Sequence, residues 1–300
     1  MLKRKRSRAR LFGHGLLFMA VPYGTIGSIM PANAWQKEAA SAAPMQKRWI
    51  LPLLKDTGNL SLPPADSSLL QATSGSEKKT TAPAIRLNTT ARKFIAHYLK
   101  QNSESLEAIK KRSAIPFQII EQVFEKNNLP LQLKYLAVVE SELKAKAVSR
   151  VGAAGPWQLM RGTARTLGLK ITKKYDERTQ YYKSTAAAAK YLKSLYAQFD
   201  DWLLVIAAYN SGAGPVYRAI RLSGSRNFWK LQAYLPLETR LHVKRFIGTH
   251  YFFEQEGSIT VLSKAERDEY NKATELFINQ SETVVTKRRD SSMLQAIGEK

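Results

Sequence analysis

One acid in this 300-residue chain occupies a place where an apolar side chain is expected. In residues 133–160, LKYLAVVESELKAKAVSRVGAAGPWQLM, a helical step of about 100° per residue puts Glu140 on one face with Leu133, Leu136 and Ala137, and with Val139 and Leu143 beside them. A carboxyl group on such a face is either paired or neutral with a raised pKa, because desolvation penalises the charged form. A neutral carboxylic acid at pH 7 can give up a proton, which makes Glu140 a candidate general acid. The bland reading is an acid that caps the next turn or pairs with an arginine. Glu142 projects about 200° away and reads as a solvated charge at the fringe.

The residues that follow offer a wall for a cleft. VGAAGPWQLM, residues 151–160, runs from small side chains into Trp157, Gln158 and Met160, so backbone can approach a ligand closely beside an aromatic ring and an amide. Tyr209 and Asn210 end a near-continuous apolar run at SGAGP, where a phenol and an amide either face a cleft or form an ordinary helix end. Glu238 follows Pro236 and opens another helix, where a first-turn acid favours the helix dipole without further purpose. Asp176, Glu177 and Arg178 read as a loop held by capping and ion pairing. The aromatics Tyr181, Tyr182, Tyr191, Tyr196, Trp202 and Trp229 read mostly as core, with a minority free to stack on a ligand.

The elements that must position these groups are helices. ARKFIAHYLKQN and SLEAIKKRSAIPFQIIEQVFEKNN precede Leu129-Pro130, and Pro116 is expected to break the second of them. A short helix is expected over Thr163–Leu167, an Ala-rich one over Ser184–Phe199 and a fully apolar one over Trp202–Tyr209. With short loops between them, they predict one all-α domain of ordinary size over residues 90–255.

The flanks differ in composition. MLKRKRSRAR carries six basic residues, Leu11–Met30 is mostly apolar but interrupted by glycine and proline, and Ala32-Asn33-Ala34 suits signal peptidase, so residues 1–34 read as a secretory signal. Residues 35–89, rich in Ser, Thr, Pro and charge, read as a flexible leader. Residues 256–300 read as a charged tail, partly disordered or packed at the periphery, with one amphipathic stretch over Ser263–Ile278. No LysM-type wall-binding repeat is visible. The chain has no cysteine, so neither disulfides nor an N-terminal lipid on cysteine are available.

The net charge is +23, or +17 without the six basic residues of the signal, and this favours a polyanionic partner. Nucleic acid is not expected, because the chain reads as exported and has no zinc-finger spacing, RNA-binding aromatic motif or helix-turn-helix signature. An anionic wall or membrane surface accounts for the charge. His14, His97, His242 and His250 lack HExxH spacing, so no metal is expected.

Taken in order, ES at Glu140-Ser141, Ser149, GAAGPWQLM, AAYNSGAGPV and LPLETR resemble the lytic transglycosylases with a soluble-lytic-transglycosylase (SLT) type catalytic domain, and within them the membrane-bound D group. The likeness runs from about Phe94 to about Phe253 and joins several separated motifs, which a single short motif would not do. It implies a lysozyme-like helical fold and peptidoglycan as substrate, with no cofactor. It implies that Glu140 is the catalytic acid, that Gln158, Met160, Tyr209 and Asn210 position the sugar, and that Ser149 contacts substrate or product near the muramoyl group. Glu238 would bind the saccharide or tune the site from the far side of the groove, and Ser141 would steady the catalytic helix.

Three departures stand out. Ala137 replaces a usual proline, Pro156 replaces a leucine, and His242 stands where the family usually has tyrosine two residues after the arginine of ETR. Ordinary glycosidases need two carboxylates about the bond, and the sequence offers one good candidate. The transglycosylase scheme accommodates that, since the C6 hydroxyl of the sugar itself attacks C1 and a single acid can act first as acid and then as base. A lysozyme-like hydrolase and a wall-binding scaffold without turnover are the other readings. Either enzyme would work in the periplasm or cell envelope, with membrane association left open.

Overall fold

A computed structural model of the chain describes residues 82–298, with side chains as far as Thr283. The expected signal and residues 35–81 of the expected leader lie outside the described residues. Among those described, all regular elements are helical, with isolated β-bridges at Val148–Ala154, Ala154–Leu159 and Ile171–Asp176.

Helix α1 spans Thr89–Arg112, opened by Asn88, whose side chain accepts the Ala91 N–H at 2.9 Å, and closed by Lys110, Lys111 and Arg112 at the negative end of the dipole. It unites two stretches that the sequence keeps separate. The break expected at Pro116 comes earlier, at Ser113, so that the proline falls in the first turn of α2, Ala114–Lys126. A first-turn N–H has no partner within its helix, so the missing proton costs nothing there.

Leu131–Lys134 form a 3₁₀ turn that leads into α3, Tyr135–Ser141, and a non-helical segment follows until α4, Arg161–Thr166. The long helix α5, Tyr181–Phe199, is followed by α6, Trp202–Ser211, the central element of the domain. Trp202 to Ala208 are all buried, which is what a helix apolar on every face requires. It packs against α5, α7 (Ala213–Ser223) and α9 (Leu237–Glu254), with the short α8 (Phe228–Leu231) between the last two in sequence. Helix α9 also packs on α1 and on α3.

The end of the domain lies beyond the sequence-based limit of 255. Thr260, Val261, Leu262, Ser263 and Arg267 are buried. The last helix, α10 (Lys264–Gly298), is tied down at its start: Asp201 accepts the Lys264 N–H at 2.7 Å, and the Arg267 guanidinium donates to the Tyr196 hydroxyl at 2.7 Å. The tail expected over 256–300 therefore begins inside the packed domain. Its high charge conceals this, because the buried arginine is satisfied by partners more than sixty residues away in sequence.

Candidate active site

Glu140 stands in the last turn of α3. The helix stops directly after it because Glu142 (φ 54°) and Leu143 (φ 60°) take left-handed conformations, and their N–H groups return to Val138 and Ala137. Glu142, read as a fringe or solvated charge, lies at the fringe. It is largely covered and paired with Lys144 at 2.8 Å and Arg112 at 3.5 Å.

The chain then turns back over the helix end. Ser141 fixes that return, donating to the Pro156 carbonyl at 2.9 Å and lying 3.2 Å from that of Ala137. Gly155 has φ 82°, and a Cβ there would stand 1.7 Å from the carbonyl oxygen of Arg178. Arg178 is itself buried, bound to Asp176 at 2.7 Å, and donates to the carbonyls of Gly152 and Leu159 at 2.7 and 2.9 Å. The Asp176–Arg178 segment is thus the clamp of the Gly-rich turn. Trp157 is core rather than wall: it is fully buried, and its indole N–H donates to Thr185 at 2.9 Å.

The other residues singled out from sequence divide into two groups. Gln158 (φ 45°) uses its amide N–H on the Gly155 carbonyl at 2.9 Å, and Ser149 accepts the Ala153 N–H at 3.0 Å, so both already support the turn. Met160, half-buried, precedes α4. Tyr209, near the end of α6, donates to the Trp157 carbonyl at 2.8 Å and packs against Tyr191, with ring centres 5.4 Å apart. Asn210 is buried and accepts from Thr239 of α9 at 2.9 Å, so one side of its amide links two helices.

Helix α9 completes the surround. Glu238, in its first turn, is partly exposed and bound to Arg245 at 2.9 Å. One turn on, His242 is buried, with Nε2 3.4 Å from Oε1 of Glu140. From sequence, His242 stands out as a departure from a pattern and not as a partner of Glu140. The available signal was spacing: Glu238, His242 and Arg245 stand at i, i+4 and i+7, on one helical face.

The electrostatics favour neutral groups at the centre. Burial, and to a lesser degree the charge of Glu238, pushes the Glu140 pKa up to about 8. Burial, aided by Arg245, lowers that of His242 to about 3. At pH 7 the close pair is therefore a carboxylic acid beside an uncharged imidazole, not a salt bridge. Burial also raises the Tyr209 phenol well above its usual range, with Glu140 adding to the effect. Among the described residues no three His, Cys, Asp or Glu gather as a metal site would need. The arrangement can donate a proton from one sequestered acid and take it back.

The chain is similar to known proteins along this region. Residues 118–232 match the family described as Transglycosylase SLT domain. The chain is 36% identical over 220 residues to membrane-bound lytic murein transglycosylase D of Escherichia coli K12, covering 72% of this chain and 45% of that protein. It thus spans less than half the length of that relative. It is 38% identical over 84 residues to the peptidoglycan transglycosylase gp16 of Escherichia phage T7, 27% of this chain and 6% of that one. The 70 kDa soluble lytic transglycosylase of Escherichia coli superposes with a TM-score of 0.44 at 24% identity, over 50% of this chain and 26% of that chain. The matched residues 118–232 include Glu140, its Gly-rich turn and Tyr209, so the candidate site lies within the region similar to the transglycosylase SLT domain family.

Proposed function

We propose that the chain is a peptidoglycan lytic transglycosylase. It would cleave the β-1,4 bond between N-acetylmuramic acid and N-acetylglucosamine without water and leave 1,6-anhydro-N-acetylmuramic acid ends. What supports this is the setting of Glu140: its side chain is more than nine-tenths buried at the end of α3, the next residue is bonded to the Gly-rich turn, and burial pushes its pKa up to about 8. Neutral Glu140 gives its proton to the glycosidic oxygen as the C1–O bond breaks, and the N-acetyl group of the muramoyl residue helps stabilise C1. The C6 hydroxyl then closes on C1 and returns its proton to the Glu140 carboxylate, so atoms and charge balance with no co-reactant. The nucleophile is held within the substrate, and proximity replaces the second carboxylate of an ordinary glycosidase.

In this reading Tyr209 and Asn210 face the sugar from α6. Gln158 and Met160 line the turn side, and Ser149 meets the muramoyl end. The amide N–H of Gln158 is spent on the turn, so its carbonyl oxygen is the group left for a substrate donor. Glu238 acts from α9 on the charge of Glu140, and Ser141 steadies α3. The catalytic domain then comprises residues 90 to about 275, preceded by the signal over 1–34 and the leader over 35–89. Export to the periplasm or cell envelope fits the proposed substrate. No helix among the described residues is long and apolar enough to cross a membrane.

The test is release of soluble muropeptides from purified peptidoglycan, with Glu140→Gln beside the parent chain. The substitution keeps size and removes the proton, so it should abolish release while the variant still folds and still binds peptidoglycan in pull-down. A folded, fully active Glu140→Gln chain would remove Glu140 from the mechanism. A parent chain that binds but releases nothing would make the domain a scaffold.

A further inference from the structure

The catalytic acid has two oxygens, and only one of them can carry the proton to the substrate. Oε1 of Glu140 faces Nε2 of His242 at 3.4 Å, with both side chains over nine-tenths buried. Nε2 has no hydrogen-bond partner among the described residues, although it is sealed from solvent. An unpaired buried imidazole nitrogen is costly, and Oε1 stands just beyond normal hydrogen-bond length. Catalytic contacts are often long before substrate binds and tighten in the complex.

We propose that His242 is a positioning residue for Glu140: its imidazole donates Nε2–H to Oε1, fixes the plane of the carboxyl group, and leaves Oε2 to deliver and retrieve the transferable proton. This rests on the transglycosylase reading for the role of Oε2, but not for the hydrogen bond itself. Donation to Oε1 is compatible with both forms of Glu140, and it strengthens when the glycosidic oxygen has been protonated and Glu140 is left charged in a dry site. His242 thereby supports the carboxylate during the half of the cycle in which it must act as base.

The groups around the pair leave His242 free for this. From α9, Glu238 acts on Glu140 and Arg245 on His242. From α6, the Tyr209 hydroxyl already donates to the Trp157 carbonyl, and Tyr191 of α5 packs against its ring. The clamp residue Arg178 is spent on Asp176 and two loop carbonyls. Among the described residues, Nε2 has no hydrogen-bond partner that would compete with Oε1 for its proton.

Two measurements test the proposal. The first is the tautomer of His242 in the intact parent chain, read from imidazole nitrogen shifts by NMR with His242→Gln for assignment, from about pH 5 to about pH 8. The expected result is a neutral ring protonated on Nε2 throughout. A ring protonated on Nδ1, or charged in that window, overturns the hydrogen bond whatever products the enzyme makes. The second is the pH profile of anhydro-muropeptide release. His242→Phe removes the donor but keeps a planar ring. It should lower kcat about tenfold with KM nearly unchanged, and move the alkaline limb up by about one pH unit, because the Glu140 carboxylate loses its donor. His242→Gln, which retains an N–H, should keep the parent limb and most of the rate. A His242→Phe profile that overlies the parent, or a His242→Gln profile as displaced as that of His242→Phe, overturns the proposal. A parent chain that releases no anhydro product overturns the reading of the activity, and with it the role given to Oε2.

Discussion

The Ser141 hydroxyl reaches the carbonyl of Pro156 at 2.9 Å, and so joins the residue after the candidate acid to the turn that folds back over it. Ser141 is buried, so its loss leaves the Pro156 carbonyl without that donor. Ser141→Ala should cost about 1 to 2 kcal/mol in chemical denaturation and lower kcat about tenfold through misplacement of Glu140. Unchanged kcat would mean that the turn holds its place without this bond.

Two glycines with nearly the same backbone angle should differ sharply. Gly152 (φ 84°) has open space where a Cβ would go, whereas at Gly155 (φ 82°) the Cβ meets the Arg178 carbonyl. Gly152→Ala should cost about 1 kcal/mol of backbone strain, and Gly155→Ala more than about 3 kcal/mol because strain and clash add. Equal melting temperatures for the two variants would contradict the clamp.

Asp201 caps α6 and holds the start of α10. Its Oδ1 accepts the N–H groups of Leu203 and Leu204 at 2.9 and 3.2 Å, and its Oδ2 accepts that of Lys264 at 2.7 Å. Asp201→Ala should cost about 2 to 4 kcal/mol. Asp201→Asn should cost less, since one acceptor oxygen remains to cap α6. Hydrogen exchange should then rise at the start of α10 before it rises in α6.

Glu140 should make stability depend on pH in a definite direction. Its folded pKa, about 8, lies above the ordinary 4.5, so the folded chain retains a proton that the unfolded chain releases. The contribution is therefore whole below about pH 4.5 and is lost as pH rises towards 8. His242 works the opposite way: its folded value of about 3, below the ordinary 6.5, costs stability as pH falls below 6.5. Glu140→Gln should thus be more stable than the parent at pH 8, by on the order of a few kcal/mol in chemical denaturation, with the gap closing near pH 4.5. A constant gap across that range would show that Glu140 is not held protonated.

The sequence makes much of this arrangement readable, and the reasons differ by residue. Glu140 is visible because an acid interrupts an apolar helical face, and α6 because Trp202–Ala208 admit no polar side. His242 and Asn210 are harder. Their partners, Glu140 and Thr239, are distant in sequence, and nothing local says that His242 meets an acid or that Asn210 ties α6 to α9. Pro116 misleads because a proline breaks a helix interior but suits a first turn. Trp157 reads as a cleft wall from composition, yet its buried hydrogen bond to Thr185 makes it core. The extent of the domain past residue 255 is hidden by charge, since Arg267 is buried by partners that only the fold supplies.

In the proposed reaction one acid cleaves the glycan and the sugar's own hydroxyl, not water, closes on C1. Digestion of purified peptidoglycan in water enriched in heavy oxygen, followed by mass spectrometry of the released muropeptides, tests it directly. The expected products end in 1,6-anhydro-N-acetylmuramic acid, carry no heavy oxygen at C1, and are absent with Glu140→Gln. Reducing ends labelled with heavy oxygen would contradict the account and make the domain a hydrolase.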